Sequence, residues 1–235
     1  MAIVRLLPLL TVFCAPARVA TDESILTRAR HAMVTEQIEA RGVHDGKTLA
    51  AMRKVARHLF VPEEAVPLAY DDHPLPIGHG QTISQPYIVA FMTEALRLQG
   101  GETVLEVGTG SGYQAAVLAE IAAKVYTIEI VEPLAVEAGA RLERLGYANV
   151  EVRAGDGYAG WKEAAPFDAV IVTAAAPRIP EPLKQQLKDG GRLVIPVGDE
   201  VQEIVVLTRK GDRFEETKVL PVRFVPMTGK VRQPR

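Results

Sequence analysis

Residues 103–113 constrain the fold of this chain more than any other stretch. A short apolar run ends in three glycines at alternate positions, Gly108, Gly110 and Gly112, and a helical pattern follows over residues 114–120. This order predicts a strand, a tight turn and a helix. Glycine tolerates positive φ and lets backbone N–H groups approach a ligand, and the following helix begins with unpaired N–H donors. The stretch therefore predicts a turn of the kind that holds nucleotides.

Glycine turns also occur where a helix simply packs on a strand, so the identity of the ligand depends on the neighbouring residues. The spacing here is G-x-G-x-G, which is not the dinucleotide pattern, and no G-K-[ST] follows for a triphosphate. Glu106 stands two residues before the first glycine. A carboxylate there would repel a pyrophosphate but would suit a ligand that carries an ammonium and a sulfonium.

A second acidic residue, Glu129, ends the next apolar run, about 20 residues beyond the first, where a carboxylate accepts hydrogen bonds from ribose hydroxyls. Together the two carboxylates indicate an adenosyl ligand with a positive tail, S-adenosylmethionine. The stretch resembles the first motif of the Rossmann-like methyltransferases, E/D-x-G-x-G, at Glu106, Gly108 and Gly110.

Composition limits the domain count and the partners. A chain of 235 residues is long enough for one well-buried domain and short for two. A net charge of −2 gives no electrostatic reason to expect nucleic acid or an anionic membrane as a partner. Cys14 is the only cysteine and the histidines are isolated, so we expect no disulfide and no metal site. We also expect a monomer.

The first 20 residues differ from the rest. Arg5 precedes an apolar stretch, and small residues at 15–17 resemble a cleavage site. The alternatives are an export signal and a disordered extension, so residues 1–21 are left out of the fold. The inferred cofactor is made in the cytosol, which favours a cytoplasmic location over export through residues 1–20.

Two helices are predicted before the glycine turn. The first spans residues 23–41 and ends at Gly42, and the second is capped by Asp45 and stops before Pro62. Five prolines then predict an ordered loop over residues 62–90. Ser84 lies in this loop, where it can be a functional residue or the N-cap of a helix that begins at Pro86 and runs to about Leu98.

The loop also carries a specific resemblance. The chain resembles the protein-L-isoaspartate O-methyltransferases over about residues 25–229, in RHLFVP at 57–62, LPIG at 75–78, QTISQPY at 81–87, GDG at 155–157, FDAVIVTAA at 167–175, GGRLVIPVG at 190–198 and RFVP at 223–226. The resemblance implies that Ser84 is the active-site residue. It implies that Thr82 and Ile83 line the place where substrate carboxylate and methyl donor meet, and it makes Thr228 a weaker substrate-binding candidate.

Strands and helices alternate through the rest of the chain, which predicts a mostly parallel sheet. Apolar runs at 203–208 and 214–220, separated by Gly211 and Asp212, predict a final hairpin. We therefore expect a single α/β domain over residues 22–235, with a Rossmann-like S-adenosylmethionine-dependent methyltransferase fold, helices on both faces and an N-terminal helical cover. Asp156 follows a strand, where it can start a turn or accept a hydrogen bond from the adenine amino group.

The segment after residue 172 helps to choose the substrate atom. Methyltransferases that act on exocyclic nitrogens resemble one another in an Asn/Asp-Pro-Pro-aromatic turn, and this chain has TAAAP at 173–177 instead. A carboxylate is already ionised at neutral pH, with a reference pKa of about 4, so no base has to deprotonate it. Orientation then supplies much of the catalysis, and Ser84 can hold one carboxylate oxygen while the other attacks.

We therefore expect methyl transfer from S-adenosylmethionine to the α-carboxylate of isoaspartyl residues in damaged peptides and proteins. The family implies that the ester then collapses to a succinimide, which begins repair. The expected cofactor-binding residues are Thr82, Glu106, Gly108, Thr109, Gly110, Ser111, Gly112, Glu129, Ile130, Asp156 and Gly157. The expected substrate-binding residues are Ile83, Ser84 and Thr228. The alternatives are a methyltransferase of the same fold acting on another nucleophile and an adenosyl-binding module without turnover.

Overall fold

A computed structural model describes residues 18–232, with side chains from residue 23 onward. The export signal or extension predicted for residues 1–20 therefore lies outside the described residues, except for its last three positions, where the first helix begins. The helices are α1 Arg18–Ala32, α2 Gly46–Lys54, α3 Pro86–Leu96, α4 Tyr113–Ala119, α5 Glu132–Arg144 and α6 Glu181–Gln185. The strands are β1 Leu75–Gly78, β2 Gln81–Ile83, β3 Thr103–Val107, β4 Lys124–Glu129, β5 Val150–Ala154, β6 Phe167–Val172, β7 Leu187–Val197, β8 Gln202–Lys210 and β9 Arg213–Val222.

Seven strands form the main sheet in the order β5-β4-β3-β6-β7-β8-β9. The pairs from β5 to β7 are parallel, whereas β7 with β8 and β8 with β9 are antiparallel. The predicted α/β fold, with its mostly parallel sheet and C-terminal hairpin, is confirmed. The carboxyl ends of the parallel strands meet at one edge, where ligands bind in open α/β sheets.

The central strands are continuous apolar runs because both faces of the sheet are covered. Alternate residues of β3 show this directly: Val104 packs into one apolar core and Leu105 into the other, and both are fully buried. The first core includes side chains of α2, α3, α4 and α5, and the second includes Leu183 of α6 and Trp161. Two cores on opposite faces hold the strand ends rigidly in place.

The N-terminal helical cover follows the prediction in outline. α1 continues as a π-helical segment, Met33–Ile38, and a 3-10 turn, Glu39–Arg41, instead of the single helix predicted to residue 41. The segment still ends at Gly42, whose φ of +94° makes it the predicted left-handed cap. Asp45 caps α2 as predicted, since its carboxylate accepts the Thr48 backbone N–H at 2.8 Å.

The region predicted as a loop contains a small antiparallel hairpin, so the prediction of no regular element is wrong for β1 and β2. The turn between them has three consecutive residues with positive φ, Gly78 (+87°), His79 (+51°) and Gly80 (+68°). This turn allows two very short strands to pair, Pro76 opposite Thr82. The next helix, α3, begins at Pro86 as predicted but ends at Leu96, because Arg97 is left-handed. The hairpin carries Thr82 to the edge of the main sheet.

Candidate active site

The glycine turn lies at the carboxyl end of β3. Gly108, Gly110 and Gly112 all have positive φ, at +101°, +53° and +88°. A Cβ on Gly108 would overlap the Oγ1 of Thr173, which donates a hydrogen bond of 2.6 Å to the Gly108 carbonyl. This position therefore requires glycine for two reasons, the backbone conformation and the close approach of the next strand's end.

A cavity, here called the glycine-turn pocket, opens beside this turn. The pocket is lined by Gln81, Thr82, Val107, Gly108, Gly110, Ile128, Glu129, Ile130, Gly157, Thr173, Ala174, Val225, Pro226, Met227 and Thr228. Seven residues predicted from the sequence are among them: Thr82, Gly108, Gly110, Glu129, Ile130, Gly157 and Thr228. They come from the hairpin, the strand ends and the C-terminal segment, which the fold brings to one place.

Glu129 stands at the end of β4 and is almost fully buried at the pocket wall. Its Oε2 accepts the Gly110 backbone N–H at 2.8 Å, and its Oε1 accepts the Val131 backbone N–H at 2.9 Å. The carboxylate thus ties the glycine turn to the next strand. Each carboxylate oxygen has a further acceptor position, so the group can also accept a hydrogen bond from a ligand in the pocket.

Glu106 does not line the pocket. It is fully buried, and its Oε2 accepts a 2.6 Å hydrogen bond from Thr127, its partner in the register of β3 and β4. Thr127 Oγ1 lies 2.6 Å from Thr109 Oγ1, which continues the chain of polar atoms into the turn. Glu106 Oε1 has no hydrogen-bond partner among the described residues. Burial raises the pKa of Glu106 to about 8, so the neutral acid predominates at pH 7.

Asp156 also lies behind the pocket lining. It precedes a short 3-10 helix, Gly157–Ala159, and its Oδ1 accepts the Tyr158 backbone N–H at 2.9 Å. Its Oδ2 accepts the Lys230 backbone N–H at 2.8 Å. The structure therefore shows the turn role that the sequence left open, and only Gly157 of this pair faces the pocket.

A second cavity of about 790 Å³, the Ser84 cleft, adjoins the first. It is lined by Arg41, Pro74, Thr82, Ser84, Gln85, Tyr87, Ile88, Thr173, Leu220, Pro221, Val222, Arg223, Phe224 and Val225. Thr82, Thr173 and Val225 line both cavities. A ligand in the glycine-turn pocket and a ligand in the Ser84 cleft would therefore meet across these three residues.

Ser84 does not act as the helix cap that was its alternative role. The N-cap of α3 is Gln85, and no side chain caps that helix. Ser84 also lines a small recess with Thr82, Ile83, Thr109 and Ser111, so these predicted residues do come together. Gly112 remains apart from the cavities, since a Cβ there would press on Leu142.

Sequence reasoning missed several lining residues. Thr173 had been read only as part of a missing nitrogen-binding turn, and Val225 and Arg223 only as part of the family resemblance. Arg41 was also missed; its guanidinium lies 3.6 Å from the centre of the Tyr87 ring and 2.6 Å from an Asp72 oxygen. The available signal was the R-F-V-P run at 223–226, which the family resemblance includes.

Within residues 18–232 the structure contains no cluster of three or more His, Cys, Asp or Glu side chains arranged to hold a metal ion. No helix in the same part of the chain has the length and apolar content that a membrane crossing requires.

Comparison with known proteins identifies the family. The sequence model of the family described as "Protein-L-isoaspartate(D-aspartate) O-methyltransferase" matches residues 28–232. Protein-L-isoaspartate O-methyltransferase 2 of Shewanella sediminis is 57% identical over 210 residues, which cover 88% of this chain and 86% of that protein. The protein-L-isoaspartate O-methyltransferase of Gloeobacter violaceus is 60% identical over 198 residues, 83% of this chain and 97% of the relative.

Solved structures agree with the sequence matches. A protein-L-isoaspartate O-methyltransferase superposes with a TM-score of 0.80 at 28% identity, over 87% of this chain and 67% of that one. A protein described as a beta-aspartate methyltransferase from Plasmodium falciparum, solved with S-adenosyl-L-homocysteine, gives a TM-score of 0.73 at 26% identity, over 85% and 98% of the two chains. The chain described here therefore belongs to the protein-L-isoaspartate (D-aspartate) O-methyltransferase family.

Proposed function

We propose that this protein transfers a methyl group from S-adenosylmethionine to the α-carboxylate of isoaspartyl residues in damaged peptides and proteins. The observation that carries the proposal is the shared boundary of Thr82, Thr173 and Val225 between the glycine-turn pocket and the Ser84 cleft. A methyl donor on one side of this boundary and a peptide carboxylate on the other would be close enough for direct transfer. The relatives are named protein-L-isoaspartate O-methyltransferases, which supports the proposal.

The residues of the glycine-turn pocket fit the adenosyl cofactor. The turn has no Cβ at Gly108 and Gly110, so its backbone can approach a ligand closely. Glu129 lines the pocket, where its carboxylate can accept hydrogen bonds from ribose hydroxyls, and Ile130 and Gly157 line the same pocket, where they can contact a base. When bound, S-adenosylmethionine supplies an electrophilic methyl group on a sulfonium centre.

Glu106 contributes indirectly in this proposal. As a buried neutral acid it holds Thr127, which in turn holds Thr109 at the base of the turn. The acid therefore fixes the shape of the turn and does not neutralise the cofactor's positive tail by contact. Asp156 orders the turn that presents Gly157 to the pocket, and each of its oxygens has a further acceptor position for the adenine amino group.

The Ser84 cleft supplies the peptide side of the reaction. The substrate carboxylate is ionised at neutral pH and needs no general base. Ser84 lines the cleft, where its hydroxyl can donate to one carboxylate oxygen while the other faces the boundary. Arg41 and Arg223 are the charged residues that line the cleft. Because Arg41 is paired with Asp72, Arg223 supplies the positive charge that attracts an anionic peptide group.

The experiment that tests this function uses two peptides that differ only in one linkage, isoaspartyl in one and aspartyl in the other. The protein is incubated with each peptide and S-adenosylmethionine labelled in the methyl group, and base-labile methyl ester is counted. We expect ester on the isoaspartyl peptide and at most background on the aspartyl peptide. Equal labelling of both peptides, or none of either, would contradict the proposal.

We also propose that the protein acts as a monomer in the cytoplasm, without a nucleic-acid or membrane partner. The supporting observations are the net charge of −2 and the cytosolic origin of the cofactor. N-terminal sequencing of the native protein tests the location, because a chain that begins after residue 17 would indicate export. Sedimentation equilibrium tests the oligomeric state, and a mass of twice 25.5 kDa would contradict a monomer.

A further inference from the structure

Two residues line all three adjoining cavities, the glycine-turn pocket, the Ser84 cleft and the small recess: Thr82 and Thr173. Thr173 follows β6 directly, and its backbone N–H donates to the Val107 carbonyl at 2.9 Å, which extends the pairing of β6 with β3 past the strand end. The residue therefore lies at the edge of the sheet, where the cofactor side and the peptide side of the proposed site meet.

The hydroxyl of Thr173 is directed at the glycine turn. Its Oγ1 lies 2.6 Å from the Gly108 carbonyl oxygen and 3.2 Å from the Val107 carbonyl oxygen. Both neighbours are acceptors, so they take the single hydroxyl proton, and the two lone pairs are what remains on Oγ1. A Cβ on Gly108 would overlap this oxygen, so Oγ1 occupies the side-chain space of a residue that lines the pocket.

An oxygen that can only accept treats the two reactants of the proposed function differently. A peptide carboxylate is itself an acceptor and is repelled by a lone pair. The hydrogens of a methyl group on a sulfonium centre carry partial positive charge, and a lone pair attracts them in a weak C–H···O contact. The proposed site therefore has an acceptor at Thr173 for the methyl donor and a donor at Ser84 for the peptide acid.

We infer that Thr173 is a further catalytic residue: its hydroxyl oxygen contacts the methyl group of the donor and holds it toward the Ser84 cleft. The inference deepens the proposed function and rests on it for the identity of the methyl donor. The contact is additional to the support that the same hydroxyl gives to Gly108. Loss of that support weakens every adenosyl ligand alike, whereas loss of the contact weakens only ligands that present positive hydrogens to Oγ1.

Three adenosyl ligands separate these two effects. S-adenosylmethionine carries the methyl group on a charged sulfonium, and S-adenosylhomocysteine has a neutral thioether without it. Sinefungin carries an amine, protonated at neutral pH, in place of the methylated sulfur. An ammonium N–H is a stronger donor than a methyl C–H, so sinefungin reports the contact with greater sensitivity. Calorimetry measures the affinity of each ligand for the unmodified protein, Thr173→Val and Thr173→Ser.

Thr173→Val removes the oxygen and keeps the branched shape, whereas Thr173→Ser keeps the oxygen. Beyond any loss of S-adenosylhomocysteine affinity, we expect Thr173→Val to weaken sinefungin about tenfold or more and S-adenosylmethionine by roughly two- to fivefold. Thr173→Ser should bind all three ligands within about threefold of the unmodified protein. If Thr173→Val weakened all three ligands by the same factor, or bound sinefungin as tightly as Thr173→Ser does, the inference would be overturned.

A crystal structure of the unmodified protein with sinefungin supplies a readout that does not depend on a variant folding. The ammonium nitrogen should lie about 2.7–3.2 Å from Thr173 Oγ1, and an ammonium group turned away from this oxygen would overturn the inference. The labelled-peptide assay tests the substrate separately. A protein that methylates no isoaspartyl peptide can still show the selective loss of sinefungin affinity, and one that methylates the peptide can lack it.

Discussion

At the scale of single residues, Ser84 and Glu129 have separable roles. Ser84 lines the cleft and the recess but not the glycine-turn pocket, whereas Glu129 lines that pocket. A substitution at Ser84 should therefore change the rate of the chemical step, and a substitution at Glu129 should change cofactor affinity.

Ser84→Ala should lower kcat about 10- to 100-fold, since a hydrogen bond to a charged oxygen is lost. The dissociation constant for S-adenosylhomocysteine should stay within about twofold, because Ser84 does not line the glycine-turn pocket. Steady-state kinetics and calorimetry measure the two quantities, and Ser84→Thr serves as the variant that keeps a hydroxyl. A parallel loss of turnover and cofactor affinity would assign Ser84 to the architecture of the loop.

Glu129→Ala should weaken cofactor binding about tenfold or more, because both the ribose acceptor and the bond to the Gly110 N–H are lost. Glu129→Gln keeps one acceptor oxygen, so its cofactor affinity should lie between those of Glu129→Ala and the unmodified protein. Calorimetry with S-adenosylhomocysteine measures the effect. Unchanged binding in the alanine variant would remove Glu129 from the ribose site.

Glu106 predicts a particular dependence of stability on pH. Burial raises its pKa to about 8 in the folded protein, above its ordinary value. The folded state therefore binds the proton more tightly, so this contribution to stability is full at low pH and is lost as the pH rises toward about 8. Glu106→Gln should flatten the decline of the unfolding free energy between about pH 5 and 8, by up to a few kcal/mol. Urea denaturation of the unmodified protein and of Glu106→Gln across that pH range checks this prediction. If the unfolding free energy depended on pH equally in the two proteins, the result would contradict a neutral Glu106.

Only some of the site residues could be placed from the sequence. Glu129 and the glycines could be placed on the pocket because they follow strands whose ends meet at one edge. Glu106 could not be placed, because its burial depends on the register that sets it opposite Thr127. Asp156 could not be assigned either, since the N–H that it accepts belongs to Lys230, on a segment whose path no local pattern shows.

At the scale of elements, the conformation of the turn after β3 requires glycine at position 108. Gly108→Ala introduces a Cβ that overlaps Thr173 at a left-handed φ of +101°. We expect a loss of more than about 1 kcal/mol in the free energy of unfolding and weaker cofactor binding. Gly101→Ala is the control, because a Cβ there meets nothing within 4 Å and its φ is not left-handed. Similar stability of the two variants, measured by denaturation, would contradict this account of the turn.

The elements that the sequence predicted poorly are those without a repeating pattern. The hairpin of β1 and β2 was missed because its strands are very short and prolines surround them. The departure of the first helix from α geometry after Ala32 was also missed, because it depends on burial of Met33, Val34 and Ile38 under tertiary packing. The alternation of strands and helices after the glycine turn was predicted correctly, since strands buried on both faces, such as β6, are continuous apolar runs.

At the scale of the whole molecule, the charge of the cleft differs in sign from that of the chain. The net charge is −2, yet the charged residues lining the Ser84 cleft are Arg41 and Arg223. Arg41 is paired with Asp72, whereas Arg223 has no ion-pair partner among residues 23–232. The cleft thus presents local positive charge at Arg223 to an approaching peptide.

Isoaspartyl peptides with an acidic neighbour should therefore have a lower KM than those with a basic neighbour, by a few-fold at low salt. Arg223→Glu should reverse the preference, and Arg223→Gln should remove it. KM is measured for paired peptides at two ionic strengths, with S-adenosylmethionine saturating. A preference that survives in Arg223→Gln and does not respond to salt would show that another feature of the cleft selects the peptide.

The fold of the whole chain was predictable because strand and helix patterns alternate from residue 103 onward, and this alternation requires a parallel sheet. The alternation of strands and helices does not show the path by which the C-terminal segment returns across the sheet edge. That path brings Val225 beside Thr82 and Thr173 and joins the two cavities. The joining of the cavities is the feature on which the proposed reaction depends.

A crystal structure of the protein with S-adenosylhomocysteine and an isoaspartyl peptide tests that feature most directly. We predict that the thioether sulfur faces an α-carboxylate oxygen across the boundary of Thr82, Thr173 and Val225. The other oxygen should lie about 2.5–3.0 Å from the Ser84 hydroxyl. A peptide bound outside the Ser84 cleft, or a carboxylate turned away from the sulfur, would contradict the account.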